Sequence, residues 1–246
     1  MKARSVLIDR IRGFSLVEIA VVLVILAILA TAIGVPLASQ LDQQRTIDTQ
    51  KQLEVAREAL YGFAMANGRL PCPAAAATTG VEAPVGGGAC TIAFGFLPAT
   101  TLGLTGLDAS GYMVDAWNDG DVGHRIRYAI STQNTNALTT VDGVKSQTMA
   151  TVAATNQLYV CGTGLTATAP TTNCGTMTVL SDKAPFVIYS LGKSTVPLAT
   201  NYDELNNQNG DRVFTSGTPT DTFDDIVTWG SLNTLFSRMV QAGKLP

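Results

Sequence analysis

The first third of the chain divides into an apolar half and an amphipathic half. From Phe14 to Val35 only Glu18 is charged, and this is about the 20 residues that a helix needs to span the hydrocarbon of a bilayer. After Pro36, apolar residues recur at helical spacing with charged residues between them. These apolar positions are Leu37, Leu41, Leu53, Ala56, Leu60 and Phe63 or Ala64. The pattern predicts one helix from Phe14 to Ala66, ended by Asn67-Gly68.

The rest of the chain shows the patterns of short strands and one further helix. The predicted strands are His124–Ser131, Gln157–Gly162, Thr176–Leu180, Pro185–Leu191 and Asp225–Trp229. Residues 68–90 have the Pro and Gly content of an irregular loop. Residues 132–156 show neither the helical nor the strand period clearly. A terminal helix is predicted between Ser231 as N-cap and Gly243 as stop. Its apolar face consists of Leu232, Leu235, Phe236, Met239 and Val240. Antiparallel strands packed on a long helix make an α+β domain.

Charge excludes one class of partner. The chain is 46% hydrophobic and only 14% charged, and its formal net charge is −3. Residues 1–13 carry a local charge of +3, from four basic residues and one acidic residue, which leaves the remaining chain at −6. An acidic protein has no general electrostatic attraction for nucleic acid, so we expect no nucleic-acid partner.

The basic start and the apolar run together predict export. By the positive-inside rule, the N-terminus stays in the cytoplasm and the chain after Val35 lies outside. An ordinary signal peptide would share these features and would need a small-residue cleavage site, which Ala30-Thr31-Ala32 supplies weakly. The mature chain would then be a periplasmic or secreted binding protein or enzyme. That alternative gives no reason for Glu18, and its apolar core would be unusually long.

The N-terminal sequence resembles a specific processing signal. Basic residues, then "GFSLVE", then the apolar run resemble the class III signal of type IV pilins and type II secretion pseudopilins. The resemblance implies that a prepilin peptidase cuts between Gly13 and Phe14 and methylates the new N-terminus, Phe14. Glu18 is then the fifth mature residue, as in that family. The implied segments are a leader at 1–13, a transmembrane and filament-core helix at 14–36, its amphipathic continuation at 37–67 and an α+β head at 68–246.

The resemblance also implies a function and a location. The chain would be a non-enzymatic structural subunit of a type IV pilus or a type II secretion-type filament. It would wait as a single-pass protein in the bacterial inner membrane with its head in the periplasm, and then enter a pilus or pseudopilus, which can reach the cell surface. Its partners would be prepilin peptidase, other pilin or pseudopilin subunits and the inner-membrane assembly platform. Looser motifs in the head, "GRLPCP", "FVIYSLGK" and "DDIVTW", resemble pseudopilin-like minor pilins.

Glu18 is the residue of the apolar run for which the resemblance suggests a role. An ionised carboxylate in a bilayer costs about a few kcal/mol or more and seeks a partner. We hypothesise that Glu18 of an incoming subunit pairs with the N-terminal amine of Phe14 in a neighbouring subunit. The alternative, that Glu18 snorkels to the membrane interface, stays open.

Four cysteines are the candidate covalent crosslinks. An even number in an exported chain indicates two disulfides among Cys72, Cys90, Cys161 and Cys174. Three pairings are possible, and the local one would join Cys72 to Cys90 and Cys161 to Cys174. The alternative is four buried thiols.

A calcium site is the only cofactor that the sequence suggests. Acidic residues gather in one Asn- and Gly-rich region, at Asp203, Glu204, Asp211, Asp221, Asp224 and Asp225. Resemblance to the calcium loop of major pseudopilins makes Asp221, Asp224 and Asp225 the candidate ligands, although a solvated acidic loop explains the same residues.

No catalytic residue is predicted. His124 is the only histidine, and we expect it at the surface. The "GKST" at 192–195 is not a phosphate-binding loop, because the required earlier glycine is replaced by Val187.

Overall fold

The computed structural model describes residues 15–167 and 171–246, with the side chains of 30–38 left out. The chain divides into two compact units, residues 1–44 and residues 45–246. Helix α1 spans Leu16–Asn67. This agrees with the predicted helix to within two residues at its start and one at its end. Gly13 and Phe14 lie outside the described residues.

In the first unit, the described side chains from 16 to 29 are exposed and almost all apolar. No helix qualifies by length and apolarity as a membrane span among the residues with described side chains. The predicted span at 14–36 includes positions outside that set, and it stays a prediction.

The strands described in the second unit form two sheets. The four-stranded sheet has the order β1-β2-β5-β7 and is antiparallel throughout. Its strands are β1 (Phe94–Phe96), β2 (Arg127–Ile130), β5 (Phe186–Ser190) and β7 (Ile226–Trp229). The second sheet has the order β4-β3-β6, with β3 (Leu158–Gly162), β4 (Val179–Ala184) and β6 (Val213–Ser216). Strand β3 pairs antiparallel with β4 and parallel with β6.

Short helices lie between the strands and after the last of them. They are α2 (Ala99–Leu102), α3 (Gln133–Asn136), α4 (Gly143–Gln147), α5 (Met149–Ala154), α6 (Tyr202–Gln208) and α7 (Leu232–Gln241). A single 3-10 turn covers Val122–His124. Helix α3 is irregular, because Asn134 and Thr135 have positive φ angles. Helices and sheets together confirm the predicted α+β class.

The second unit has three layers, and β5 shows why. Its alternate residues Phe186 and Ile188 belong to the core shared with α1 and α7, whereas Val187 and Tyr189 belong to the core between the two sheets. The sequence of a strand that is buried on both faces is a continuous apolar run, and "PFVIYSL" has this pattern. Tyr61 of α1 meets Phe186 edge-on, with ring centroids 5.5 Å apart.

Strand direction places the loops at two ends of this unit. The loops before β2, after β5 and before β7 share one end, where the Ala116 N–H donates to Thr49 Oγ1 of α1 at 3.1 Å. We call this the Thr49 end. At the opposite end, α1 stops at Gly68 and the Leu70 N–H donates to the Leu138 carbonyl at 2.7 Å. We call this the Gly68 end.

Candidate functional site

The first turn of α1 holds Glu18 in a defined position. Ser15 is the residue before the helix, and its backbone N–H donates to Glu18 Oε2 at 3.3 Å. This is the glutamate half of a capping box, in which an acid at the third helical position satisfies the N–H of the capping residue. The helix dipole also favours a negative charge in this turn. The signal is the spacing Ser-x-x-Glu, which is visible in the sequence and which our sequence analysis missed.

Three carboxylates converge at the Thr49 end. Glu204, Asp224 and Asp225 each offer an oxygen, and these oxygens lie within 4.8 Å of one another. Glu204 comes from the first turn of α6, and the two aspartates directly precede β7. Glu204 is 3% exposed and Asp225 is 1% exposed. We call these residues the acidic cluster.

Hydrogen bonds within the acidic cluster leave one oxygen without a partner. Asp225 Oδ2 accepts from Asn207 Nδ2 at 2.7 Å, but Asp225 Oδ1 is buried and has no hydrogen-bond partner in the described structure. Glu204 Oε1 accepts from the Asp224 N–H at 3.1 Å, and Asp224 Oδ2 accepts from the Ser194 N–H at 3.0 Å. Buried oxygens without partners are rare and call for a proton, an ion or a water.

Burial makes the ionised form of the cluster costly. Desolvation, together with the neighbouring charges of Glu204 and Asp224, raises the pKa of Asp225 well above its usual range. Desolvation also raises the pKa of Glu204 and of Asp224. A divalent cation among the three oxygens would reverse this balance, because it favours the ionised carboxylates. Oxygen-only donors of this kind fit calcium.

The remaining acids of the region have other surroundings. Asp221 is exposed and is not one of the three converging residues, so Glu204 stands beside Asp224 and Asp225 instead. Asp203 accepts from the backbone N–H groups of Gly164 and Leu165 and ties down their loop.

The expectation of a surface histidine is wrong. His124 is 5% exposed, and its Nδ1 lies 3.2 Å from Asp115 Oδ1. The intervening loop folds back on itself, since the Asp115 N–H donates to the His124 carbonyl at 2.9 Å. Ser190 Oγ donates to Asp115 Oδ2 at 2.6 Å. The serine hydroxyl is thus committed to the carboxylate and not to the imidazole, so the arrangement is not that of an activated nucleophile.

Both disulfides of the local pairing are present. Cys72 bonds Cys90 and Cys161 bonds Cys174, with Cα separations of 5.4 and 5.6 Å. The first crosslink closes a loop that contains Glu82, which forms a buried bidentate pair with Arg69 at 2.7 Å for each bond.

Comparison with known proteins identifies the N-terminal segment. Residues 8–34 match the family described as the prokaryotic N-terminal methylation motif. No curated protein and no solved structure matches the chain. The matched range contains Gly13, Phe14 and Glu18, and the chain therefore carries the prepilin-type signal of type IV pilins and pseudopilins. The match covers 27 of the 246 residues, and the motif indicates a type IV pilin-like or pseudopilin subunit.

Proposed function

We propose that the chain is a non-catalytic subunit of a type IV pilus or a type II secretion-type filament. The observation that carries this proposal is the methylation motif at 8–34, with Glu18 in the first turn of a helix that starts at Leu16. Prepilin peptidase cuts after Gly13 and methylates Phe14 while the chain is anchored in the inner membrane. The inner-membrane assembly platform then moves the subunit into the filament through α1.

Glu18 acts in this assembly step. Its carboxylate pairs with the methylated amine of Phe14 in a neighbouring subunit, and the pairing offsets the cost of holding both charges among apolar helices. The bond from Ser15 supports this role, because it holds the side chain within the first turn of α1. A single charged pair in an apolar surface also stabilises one axial register of the packed helices relative to registers shifted along the axis. Buried polar groups fix the register of coiled coils in the same way.

The head belongs to a minor or pseudopilin-like subunit. The head motifs "GRLPCP" and "DDIVTW" support this assignment by resemblance.

Blocking the cleavage site tests the proposal. The full-length chain is produced in cells that have prepilin peptidase and the assembly platform, and sheared surface filaments are collected. We expect Gly13→Leu to leave the leader attached and to remove the chain from the filament fraction. Ala32→Leu, which alters the site of an ordinary signal peptidase, should be processed and assembled normally. The opposite pattern would show that the chain is a secreted protein.

We also propose that the acidic cluster binds calcium. The unpartnered Asp225 Oδ1, buried beside two other carboxylates, supports this function. Glu204, Asp224 and Asp225 would be the ligands, and the ion would tie α6 to the segment that precedes β7. It would supply positive charge to hold these elements together and would take no part in catalysis.

Thermal unfolding with and without calcium tests this second proposal. A ligand bound only by the native state must raise its stability. We expect millimolar calcium to raise the unfolding temperature of the full-length protein above its value in chelator, and Glu204→Gln to abolish the increase. Asp221→Asn removes a nearby exposed acid and should keep it. The absence of any increase in the wild type would rule out the site.

A further inference from the structure

A cavity of about 270 Å³ lies where strand ends from both sheets meet. Its described lining includes Phe94, which begins β1, Ile130, which ends β2, and Leu158, which begins β3. Since β2 starts from the Thr49 end, the cavity at its last residue belongs to the Gly68 end and is remote from the acidic cluster. Small-molecule sites have volumes of about 300 Å³ and upward, so this cavity suits a ligand with a single ring.

Arg212 is the basic residue in the described lining of this cavity, and it lacks an acidic partner. Its guanidinium lies over the ring of Tyr159, with Cζ 5.1 Å from the centroid. Its buried Nε has no hydrogen-bond partner in the described structure. A buried donor without an acceptor is costly, so a ligand that supplies the acceptor is favoured. By contrast, ion pairs engage Arg57, Arg69, Arg125 and Arg238.

The acid beside this arginine is occupied by its own turn. Asp211 also lines the cavity, but its Oδ1 accepts from the Val213 N–H at 2.8 Å and its Oδ2 accepts from Asn209 Nδ2 at 2.8 Å. No ion pair joins Asp211 to Arg212 in the described structure. The guanidinium is therefore available to an anion, although the charge of Asp211 weakens the attraction.

Neutral hydrogen-bonding groups make up the other polar part of the described lining. Gln157 is fully buried, and its Oε1 accepts from Ser131 Oγ at 2.6 Å, which fixes this wall of the cavity. Three side chains of the lining make no hydrogen bond within residues 15–167 and 171–246, namely Thr132, Gln133 and Thr171. Hydroxyl and amide groups of this kind both donate and accept, as the hydroxyl groups of a ligand require.

Phe94 supplies an aromatic wall. It is half-buried, and its ring centroid lies 6.3 Å from that of Phe214, so the ring is held in place. The face of an aromatic ring carries partial negative charge and attracts polarised C–H groups such as those of a sugar ring. The lining thus combines a cation, neutral hydrogen-bonding groups and an aromatic ring.

We propose that this cavity binds a sugar acid, with the carboxylate of the ligand on Arg212. The guanidinium donates charge-assisted hydrogen bonds to the carboxylate, and the unpartnered Nε–H gains its acceptor. The hydroxyl groups bond to Thr132 and Gln133, and the C–H groups of the sugar ring lie against Phe94. The inference goes beyond the proposed function and does not depend on it, because binding of a monosaccharide needs no filament.

Ligand binding by the purified full-length protein in detergent tests the inference. Saturation-transfer NMR titrations use galacturonate as the probe. Galactose has the same ring without the carboxylate, and acetate is a carboxylate without the ring. We expect galacturonate to bind at millimolar concentration, and each of the other two compounds to bind at least about tenfold more weakly. No binding of galacturonate, or equal binding of galactose or acetate, would overturn the proposal.

Three variants place the binding in this cavity. Arg212→Gln should weaken galacturonate binding about tenfold or more. Asp211→Asn keeps an oxygen for the Val213 N–H, removes the opposing charge and should strengthen the binding. Arg57→Gln is the control, because Arg57 pairs with Glu54 and is not part of the described lining of this cavity. Thermal unfolding shows that each variant is folded. Unchanged binding by folded Arg212→Gln, or an equal loss in the control, would refute the site.

Discussion

The Glu18 carboxylate accepts a hydrogen bond from the backbone N–H of Ser15, at 3.3 Å. The acid therefore has a partner within its own chain before any neighbour arrives, because the first N–H groups of a helix have no partner inside the helix. This local bond requires only an acceptor oxygen. Pairing with the Phe14 amine of another subunit requires the negative charge as well. The two roles can be separated by substitution.

Glu18→Gln keeps the acceptor oxygen and removes the charge. We expect this variant to be cleaved and methylated normally, and to give less than about a tenth of the wild-type filament yield, which corresponds to a loss of about 1.4 kcal/mol or more. Mass spectrometry reports processing, and the sheared fraction reports assembly.

Glu18→Ala is the comparison, since it loses the acceptor and the charge together. It should assemble no better than Glu18→Gln. Filaments in normal amount from the glutamine variant would show that the charge is not needed, and a failure of Glu18→Ala alone would then assign the effect to the bond with Ser15.

The buried pair of Arg69 and Glu82 predicts an acid-sensitive head. Burial alone would raise the pKa of Glu82, but hydrogen bonds from Arg69 and from the backbone of Gly86 and Cys72 outweigh it and lower the pKa below its usual value. A carboxyl with a lowered pKa contributes stability above its unfolded pKa of about 4.3 and loses it as the pH falls further. Urea unfolding of the wild type and of Glu82→Gln at pH 7 and at pH 3 measures this contribution. The wild type should lose more stability, or gain less, than Glu82→Gln, because the raised pKa values of Glu204, Asp224 and Asp225 act in the opposite direction in both proteins.

Removal of one partner of this pair should be costly. Arg69→Met leaves an uncompensated buried carboxylate and should lower the free energy of unfolding by about 3–5 kcal/mol. Arg238→Met is the matched control, because Arg238 and Glu58 form a half-exposed pair that is worth at most about 1 kcal/mol. Similar losses from the two variants would contradict the account of the buried pair.

Gly192 passes so close to the backbone of Asp224, in the acidic cluster, that a side chain at position 192 has no room. Its φ angle is +66°, and a Cβ at this position would overlap the Asp224 carbonyl oxygen. Gly210 has a similar φ of +76° but open space where a Cβ would be placed. We expect Gly192→Ala to lower stability by about 2 kcal/mol more than Gly210→Ala and to weaken the calcium effect, since relief of the overlap must move Asp224. Thermal unfolding of both variants with and without calcium makes the comparison. Equal losses of stability in the two variants, with the calcium effect unchanged, would show that the close approach of Gly192 to Asp224 does not matter.

Periodicity predicted the elements with long or strong patterns. Helix α1, the buried strand β5 and helix α7 lie where the sequence placed them. Strands β1 and β6 were not predicted; they have only three and four residues. The parallel pairing of β6 with β3 could not be predicted, since it joins segments about 50 residues apart and no local pattern encodes it.

The same limit applies to the acidic cluster. Asp224 and Asp225 are adjacent in the chain, and a motif pointed to them. Glu204 is 20 residues earlier and reaches them because Asn201 caps α6 and also donates to the Thr222 carbonyl. His124 was misjudged for a similar reason, since its burial depends on Asp115 and on Ser190 of β5. Contacts between distant segments decide these positions.

The proposed function depends above all on processing of the chain as a prepilin. Mass spectrometry of the N-terminal peptide, taken from the mature protein in cells with prepilin peptidase, tests it most directly. We expect a peptide that begins at Phe14 and carries one additional methyl group on its amine, and an uncut, unmethylated N-terminus in cells that lack the peptidase. A mature chain that begins after Ala32, or one that keeps residues 1–13 in the presence of the enzyme, would contradict it.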